Sequence, residues 1–215
     1  MDGFIARLRR MPTIVIWLLG AIPLAILILD LLGGRLGVDP IRDIEHRLGR
    51  TAVYFLIGSL AFTPVMRLGR INLIRFRRPV GLLAFTYAVL HVATWIVLDM
   101  GLLWGQMLRD VAKRPYLTLG MAAFIILLTM ALTSSNAVIR RMGPVRWRRL
   151  HRLVYVAAPL VSLHWLLSHK IWPELGIFWG LVILSLLGIR LVQGRNLGAD
   201  LASRFNRLIR AGRRV

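Results

Sequence analysis

The chain has 215 residues, 57% of them hydrophobic, yet carries 29 Lys+Arg against 9 Asp+Glu for a formal charge of +20. So apolar a composition excludes an ordinary soluble domain, which must cover its surface with polar groups. The long uncharged runs exclude a basic nucleic-acid binder. With no cysteine, disulfides, thiolate metal sites, iron–sulfur clusters and covalent C-x-x-C-H haem attachment are excluded as well.

Six apolar runs reach, or approach with their flanks, the roughly 20 helical residues that cross a hydrocarbon core about 30 Å thick. They predict spans at 13–32, 51–66, 80–99, 117–138, 153–168 and 177–193. The second and fifth are short and are expected to extend into their flanks. The runs are apolar all round, as helices facing lipid or one another are. Pro23, Pro64 and Pro159 fall inside spans, where neighbouring helices can satisfy the freed carbonyls. The fold class predicted is all-α, a polytopic six-helix transmembrane bundle.

Arg7, Arg9 and Arg10 precede the first run, as in a signal peptide. The run is long and lacks a small-x-small cleavage site, so a retained helix is expected. The segment after Gln193 is too short for a nucleotide-binding domain, and residues 1–215 read as a single transmembrane domain. Counted over alternate connections, the net charge is about +19 on one side and about +1 on the other, which places both termini in the cytoplasm. Trp104 and Trp172 fall near the outer interface and Trp147 near the inner one. The basic loops are explained by topology and by anionic headgroups.

Five histidines stand out: His46, His91, His151, His164 and His169. Ionisable groups inside spans are expensive and mark functional sites. His91 lies 11 residues beyond Val80 and His164 lies 11 beyond Leu153, on two spans of the same direction, so both sit about 16–17 Å from the cytoplasmic edge. With no cysteine and no carboxylate nearby, zinc is a poor match. A bis-histidine b-type haem between two helices suits two neutral imidazoles in an apolar slot. The alternatives are a histidine bonding a neighbouring helix or lining a water path. His151 is a third candidate ligand, about 20 Å lower on the same helix as His164 and rotated by about 140° from it. The matching depth on the third span carries Arg77 or Arg78, which cannot replace imidazole. A propionate contact or an interfacial place among arginines is open to it too. His46 is read in the first outer loop, within GVDPIRDIEHRLGRTA, where Asp39-Pro40 marks a turn and a short interfacial helix is expected. Surface positions are expected for His46 and His169.

These residues carry a resemblance. GVDPIRDIEHRLGRTA, RRPVGLLAF, VLH ending at His91, RPYLTLG, ALTSSNAVIRR and RWRRLHRLVY with His151 follow one another as in the MsrQ (YedZ) family. More distantly the chain is similar to the ferric-reductase and NADPH-oxidase membrane domains, which usually carry two histidines on each of two helices, where the third span here has His91 alone. The resemblance implies a multi-pass subunit of the bacterial inner membrane that binds haem b, with FMN also assigned to the family. It implies electron transfer from the quinone pool to a periplasmic molybdenum-cofactor subunit, MsrP-like, that reduces methionine sulfoxide. It assigns haem ligation to His91, His164 and His151, no catalytic residue, and no nucleic-acid partner. The competing readings are a ferric-reductase-like carrier fed by a cytosolic flavin reductase, and a small transporter or proton channel using the histidines as a relay.

Overall fold

The computed structural model describes residues 11–69 and 71–193, and the backbone alone of 194–212. Arg7, Arg9 and Arg10 lie outside the described residues. Everything regular in the described residues is helical. In chain order the helices are α1 (Ile14–Leu32), α2 (Pro40–Leu68), α3 (Arg77–Thr94), α4 (Trp104–Lys113), α5 (Pro115–Leu132), α6 (Asn136–Met142), α7 (Pro144–Leu150), α8 (Val154–Leu167) and α9 (Glu174–Gly212). Six helical stretches are long and apolar enough to cross a membrane: Ile14–Leu32, Pro40–Leu68, Ile74–Asp99, Pro115–Leu132, Pro144–Leu167 and Glu174–Gln193.

The second stretch corrects the loop expected around His46. Asp39 caps α2 by accepting the Arg42 amide at 3.1 Å, and Pro40 takes the first helical position, where its missing N–H costs nothing. Asp43 and Arg47 then pair one turn apart at 2.9 Å. The turn signal at Asp39-Pro40 is thus a helix start, and GVDPIRDIEHRLGRTA continues directly into the span.

The fourth span is shorter than expected, ending at Leu132 rather than 138. Thr133 Oγ1 donates to the Thr129 carbonyl at 2.8 Å and Ser134 Oγ to that of Met130 at 2.7 Å. Ser135 then caps a new helix, α6, by accepting the Val138 amide at 3.2 Å. Short hydroxyl side chains that compete for backbone groups end one helix here and begin another. Between the third and fourth spans, α4 is a further helix that no long apolar run announces; it is strongly one-sided, with Met107 buried and Leu108 exposed.

Two antiparallel helix pairs form the framework: α2 packs along α3, and α5 along α8. Between them lies a core of Val53, Leu56, Ile57 and Leu60 from α2, Ala84 from α3, Val154 and Ala158 from α8, and Ile183 and Leu187 from α9. Ala157 and Ala158 have no exposed surface; such small residues let membrane helices approach closely. Helix α1 docks on α3, where Gly20 leaves room for Leu83 and the Tyr87 hydroxyl enters the α1 backbone ladder. That hydroxyl donates to the Gly20 carbonyl at 2.7 Å and accepts the Leu24 amide at 3.1 Å, beside Pro23. Outward-facing Leu18, Ile22, Leu29, Leu181 and Leu184 are exposed, as side chains facing lipid are.

The bundle has two chemically distinct ends. Asp30, Asp39, Asp43, Glu45, Asp99, Asp110 and Glu174 all fall at the end where α2 and α5 begin. The opposite end, where α3 and α8 begin, is dominated by arginine.

Candidate functional site: a paired-histidine cavity

The two framework pairs each contribute one histidine to a shared cavity of about 520 Å³. His91 comes from the last two turns of α3 and His164 from the last turn of α8. Their ring centroids are 6.2 Å apart, with the ring planes at 72°. With metal–nitrogen bonds of about 2.0–2.1 Å, two imidazoles on opposite sides of one ion would have centroids about 6 Å apart, and two at a tetrahedral angle about 5 Å.

Each imidazole is held from behind in the same way. His91 Nδ1 lies 2.9 Å from the Glu45 carbonyl on α2, and His164 Nδ1 lies 2.7 Å from the Tyr116 carbonyl on α5. A carbonyl only accepts, so each Nδ1 carries the proton and each Nε2 is left with a free lone pair. One helical turn beyond each carbonyl stands a glycine. A Cβ on Gly49 would meet His91 Nδ1 at 3.3 Å, and one on Gly120 would meet His164 Nδ1 at 2.7 Å. Residues i and i+4 share a helix face, so a side chain there would cover the carbonyl that the imidazole needs. Both rings therefore rest against bare backbone, their tautomer and orientation fixed by an outer-shell partner as in metal-ligating histidines.

The cavity walls are apolar where the helices cross, with Leu56, Ala84, Val92, Phe124, Leu127 and Val161, and polar toward the acid-bearing end, with Arg42, Arg50, Arg114, Glu45 and Asp99. Arg114 lies outside the spans and bonds the Tyr116 hydroxyl at 3.3 Å; that contact, with the Asp110 carboxylate, raises its pKa further. Glu45 Oε1 is buried without a partner. An apolar slot with basic groups at one rim suits a flat, largely apolar group that bears carboxylates. Among the described residues no cluster of three or more His, Asp or Glu forms that could by itself hold a metal ion.

The other histidines take different places. His46 and His169, expected on the surface, are half-buried on the wall of the same cavity with their rings 5.3 Å apart. Their approach follows from α2 starting early, which carries His46 inward to meet the end of α8, and no local pattern announces it. His151 is not brought to this cavity. It lies in a short 3₁₀ turn before α8 and lines a second cavity at the basic end. There it stacks on Trp147 at 4.1 Å, and its Nε2 is 3.3 Å from Thr133 Oγ1. Trp147 Nε1 donates to the Thr133 carbonyl at 3.0 Å, so a residue read as an interfacial anchor also fastens α7 to the end of α5.

Residues 48–162 match the family described as ferric reductase like transmembrane component. That segment runs from early α2 to late α8 and contains His91 and His151. Proteins of Brucella ovis, Brucella suis and Brucella abortus, each named protein-methionine-sulfoxide reductase heme-binding subunit MsrQ, are 43% identical to this chain over 160 residues. The match covers 74% of this chain and 72% of each relative. The chain belongs to the MsrQ family, within the ferric reductase like transmembrane proteins.

Proposed function

We propose that this chain is a haem b electron-transfer subunit, with His91 and His164 as the residues that would hold the haem iron. The observation that carries the reading is the close imidazole pair on one cavity, 6.2 Å between centroids, with both Nδ1 atoms spent on main-chain carbonyls. When bound, haem iron would supply one-electron chemistry, and His91 and His164 together would suit it to electron transfer rather than to oxygen or substrate chemistry. The chain's own part is to hold two neutral imidazoles at fixed separation, to keep Nε2 unprotonated, and to exclude water with the apolar wall. Arg42, Arg50 and Arg114 at the polar rim suit the carboxylates of such a group. The cavity that His151 lines brings it no second imidazole, which leaves it a subsidiary candidate for iron ligation.

Both termini are assigned to the cytoplasm and the acid-bearing end to the periplasm, because the basic excess falls on the other end. The protein is then a multi-pass protein of the bacterial inner membrane, one ferric-reductase-like domain over residues 1–215. Its relatives are named as the heme-binding subunit of a protein-methionine-sulfoxide reductase. The proposed route, which the family resemblance implies, takes electrons from the quinone pool to a periplasmic MsrP-like molybdenum-cofactor subunit that repairs oxidised methionines, with the acid-bearing end as its docking side. FMN, implied by the family resemblance, is part of the proposal without residues assigned to it.

A second reading, implied by the wider resemblance to ferric-reductase membrane domains, has a cytosolic flavin reductase as the electron donor. Reduction of the purified protein's b-type absorption separates the two. Quinol alone is expected to reduce it; reduction by a reduced flavoprotein and not by quinol would replace the first donor with the second. A proton relay through the histidines finds no support in the geometry, since both Nδ1–H groups are tied to backbone carbonyls.

A further inference from the structure

Helix α4 carries an apolar face that the rest of the chain covers only by half. Trp104, Met107, Leu108, Val111 and Ala112 recur at the spacing of one helix face, within an arc of about 140°. Gly105, Gln106, Arg109, Asp110 and Lys113 fill the rest of the circumference. Met107 is buried and Val111 half-buried, whereas Ala112 is exposed, Trp104 is 64% exposed and Leu108 74%. Leu102 and Leu103, just before the helix, are exposed as well.

The connections fix the level at which α4 sits. Four residues separate it from Asp99, where the third membrane-crossing stretch ends, and Arg114 alone separates it from α5, the fourth. The first connection is folded back rather than extended: the Leu102 amide donates to the Ile96 carbonyl at 3.0 Å, and Gly101 takes a φ of 54°. At the second, Thr118 Oγ1 of α5 donates to the Val111 carbonyl at 2.6 Å. A helix tied this closely to two span ends stays at the surface of the membrane. The uncovered apolar residues also continue a lipid-facing wall, since Val97 and Leu98 in the last turn of the third stretch are exposed too.

Water is a poor neighbour for leucine and tryptophan, and lipid removes that cost. Tryptophan favours the headgroup level, and a helix with Trp and Leu on one face and Lys and Arg on the other is built to lie there. Arg109 and Lys113 have stems long enough to carry their charges out to headgroup phosphates. We propose that α4 is a membrane-surface helix, with Trp104 and Leu108 seated in the lipid of the leaflet at the acid-bearing end. A partner docking at this end would then meet the polar face, through Gln106, Arg109 and Lys113. The inference is independent of the haem assignment, since none of these residues touches His91 or His164.

The chain has no cysteine, so single-cysteine variants of the full chain each carry one nitroxide label. Leu108→Cys, Arg109→Cys and Lys113→Cys are reconstituted in vesicles of phosphatidylethanolamine and phosphatidylglycerol. Leu181→Cys, on the exposed face of α9, is the lipid-facing reference. Power saturation of the label's resonance then reads its collisions with oxygen, which concentrates in lipid, and with a water-soluble nickel chelate. The Leu108 label is expected to collide mainly with oxygen, like the Leu181 label, and to meet the chelate several-fold less than the Arg109 and Lys113 labels do. Trp104→Cys is expected to match Leu108→Cys, and reports in its place where that variant does not fold. A Leu108 label as open to the chelate as the Arg109 label would put the face in water, free for a protein partner, and overturn the proposal. So would a label shielded from both reagents, which would mean that a second copy of the chain covers the face.

Discussion

The His91 and His164 rings, from two different helix pairs, lie 6.2 Å apart between centroids, and each is braced by a main-chain carbonyl near the start of the helix antiparallel to its own. The site is thus one device used twice: a histidine late on one helix, a carbonyl early on its partner, and a glycine one turn beyond it. Its geometry depends on backbone as much as on side chains, and that dependence can be tested.

Gly120→Ala puts a methyl 2.7 Å from His164 Nδ1 and 2.9 Å from Cε1. The ring is tied to Tyr116 and cannot yield without losing that bond, so the variant is expected to cost about 1–3 kcal/mol and to lower haem occupancy. Gly49→Ala meets His91 at 3.3 Å, which needs only a small adjustment, and alanine favours a helix by up to about 1 kcal/mol over glycine. The expected order of bound haem is wild type, then Gly49→Ala, then Gly120→Ala, read as the ratio of Soret to protein absorbance. Equal ratios in all three would mean that the glycines do not seat the histidines.

Tyr87→Phe removes a hydroxyl that bridges Gly20 and Leu24 on α1. Those two groups are one turn apart and can partly close on each other, so the loss is held to about 1 kcal/mol. Thermal unfolding in detergent should show the destabilisation, while the haem spectrum stays that of wild type. A changed spectrum would mean that α1 docking shapes the cavity.

Asp39→Ala removes the cap of α2 and is expected to cost about 1 kcal/mol, with Asp39→Asn restoring most of it. Since α2 carries the Glu45 carbonyl, Asp39→Ala should also broaden the haem absorption, whereas a cap of purely local effect leaves the band unchanged.

How much of this was legible in the sequence depends on the range of the interaction. Apolar runs marked all six membrane-crossing stretches, because lipid demands long uninterrupted helices. Counting residues put His91 and His164 at one depth, because a helix is a ruler. The same count placed Arg77 or Arg78 at the depth of His151, and the structure has Arg77 on one cavity with it; what it could not supply was the further arginines from α2, α7 and α9. The early start of α2 was hidden by its charges. Arg42, Asp43, Glu45 and Arg47 depress hydropathy, yet Asp43 and Arg47 support the helix by pairing with each other. The glycine seats were unreadable, since Gly49 and Gly120 acquire meaning only from histidines that reach them by folding.

Haem binding by His91 and His164 is decided by an absorption spectrum with haem-to-protein stoichiometry for the wild type and for His91→Ala, His164→Ala and His151→Ala. A reducible low-spin b-type spectrum is expected in the wild type, most of it lost in the first two variants and most of it kept in His151→Ala. Intact spectra in both His91→Ala and His164→Ala would contradict it.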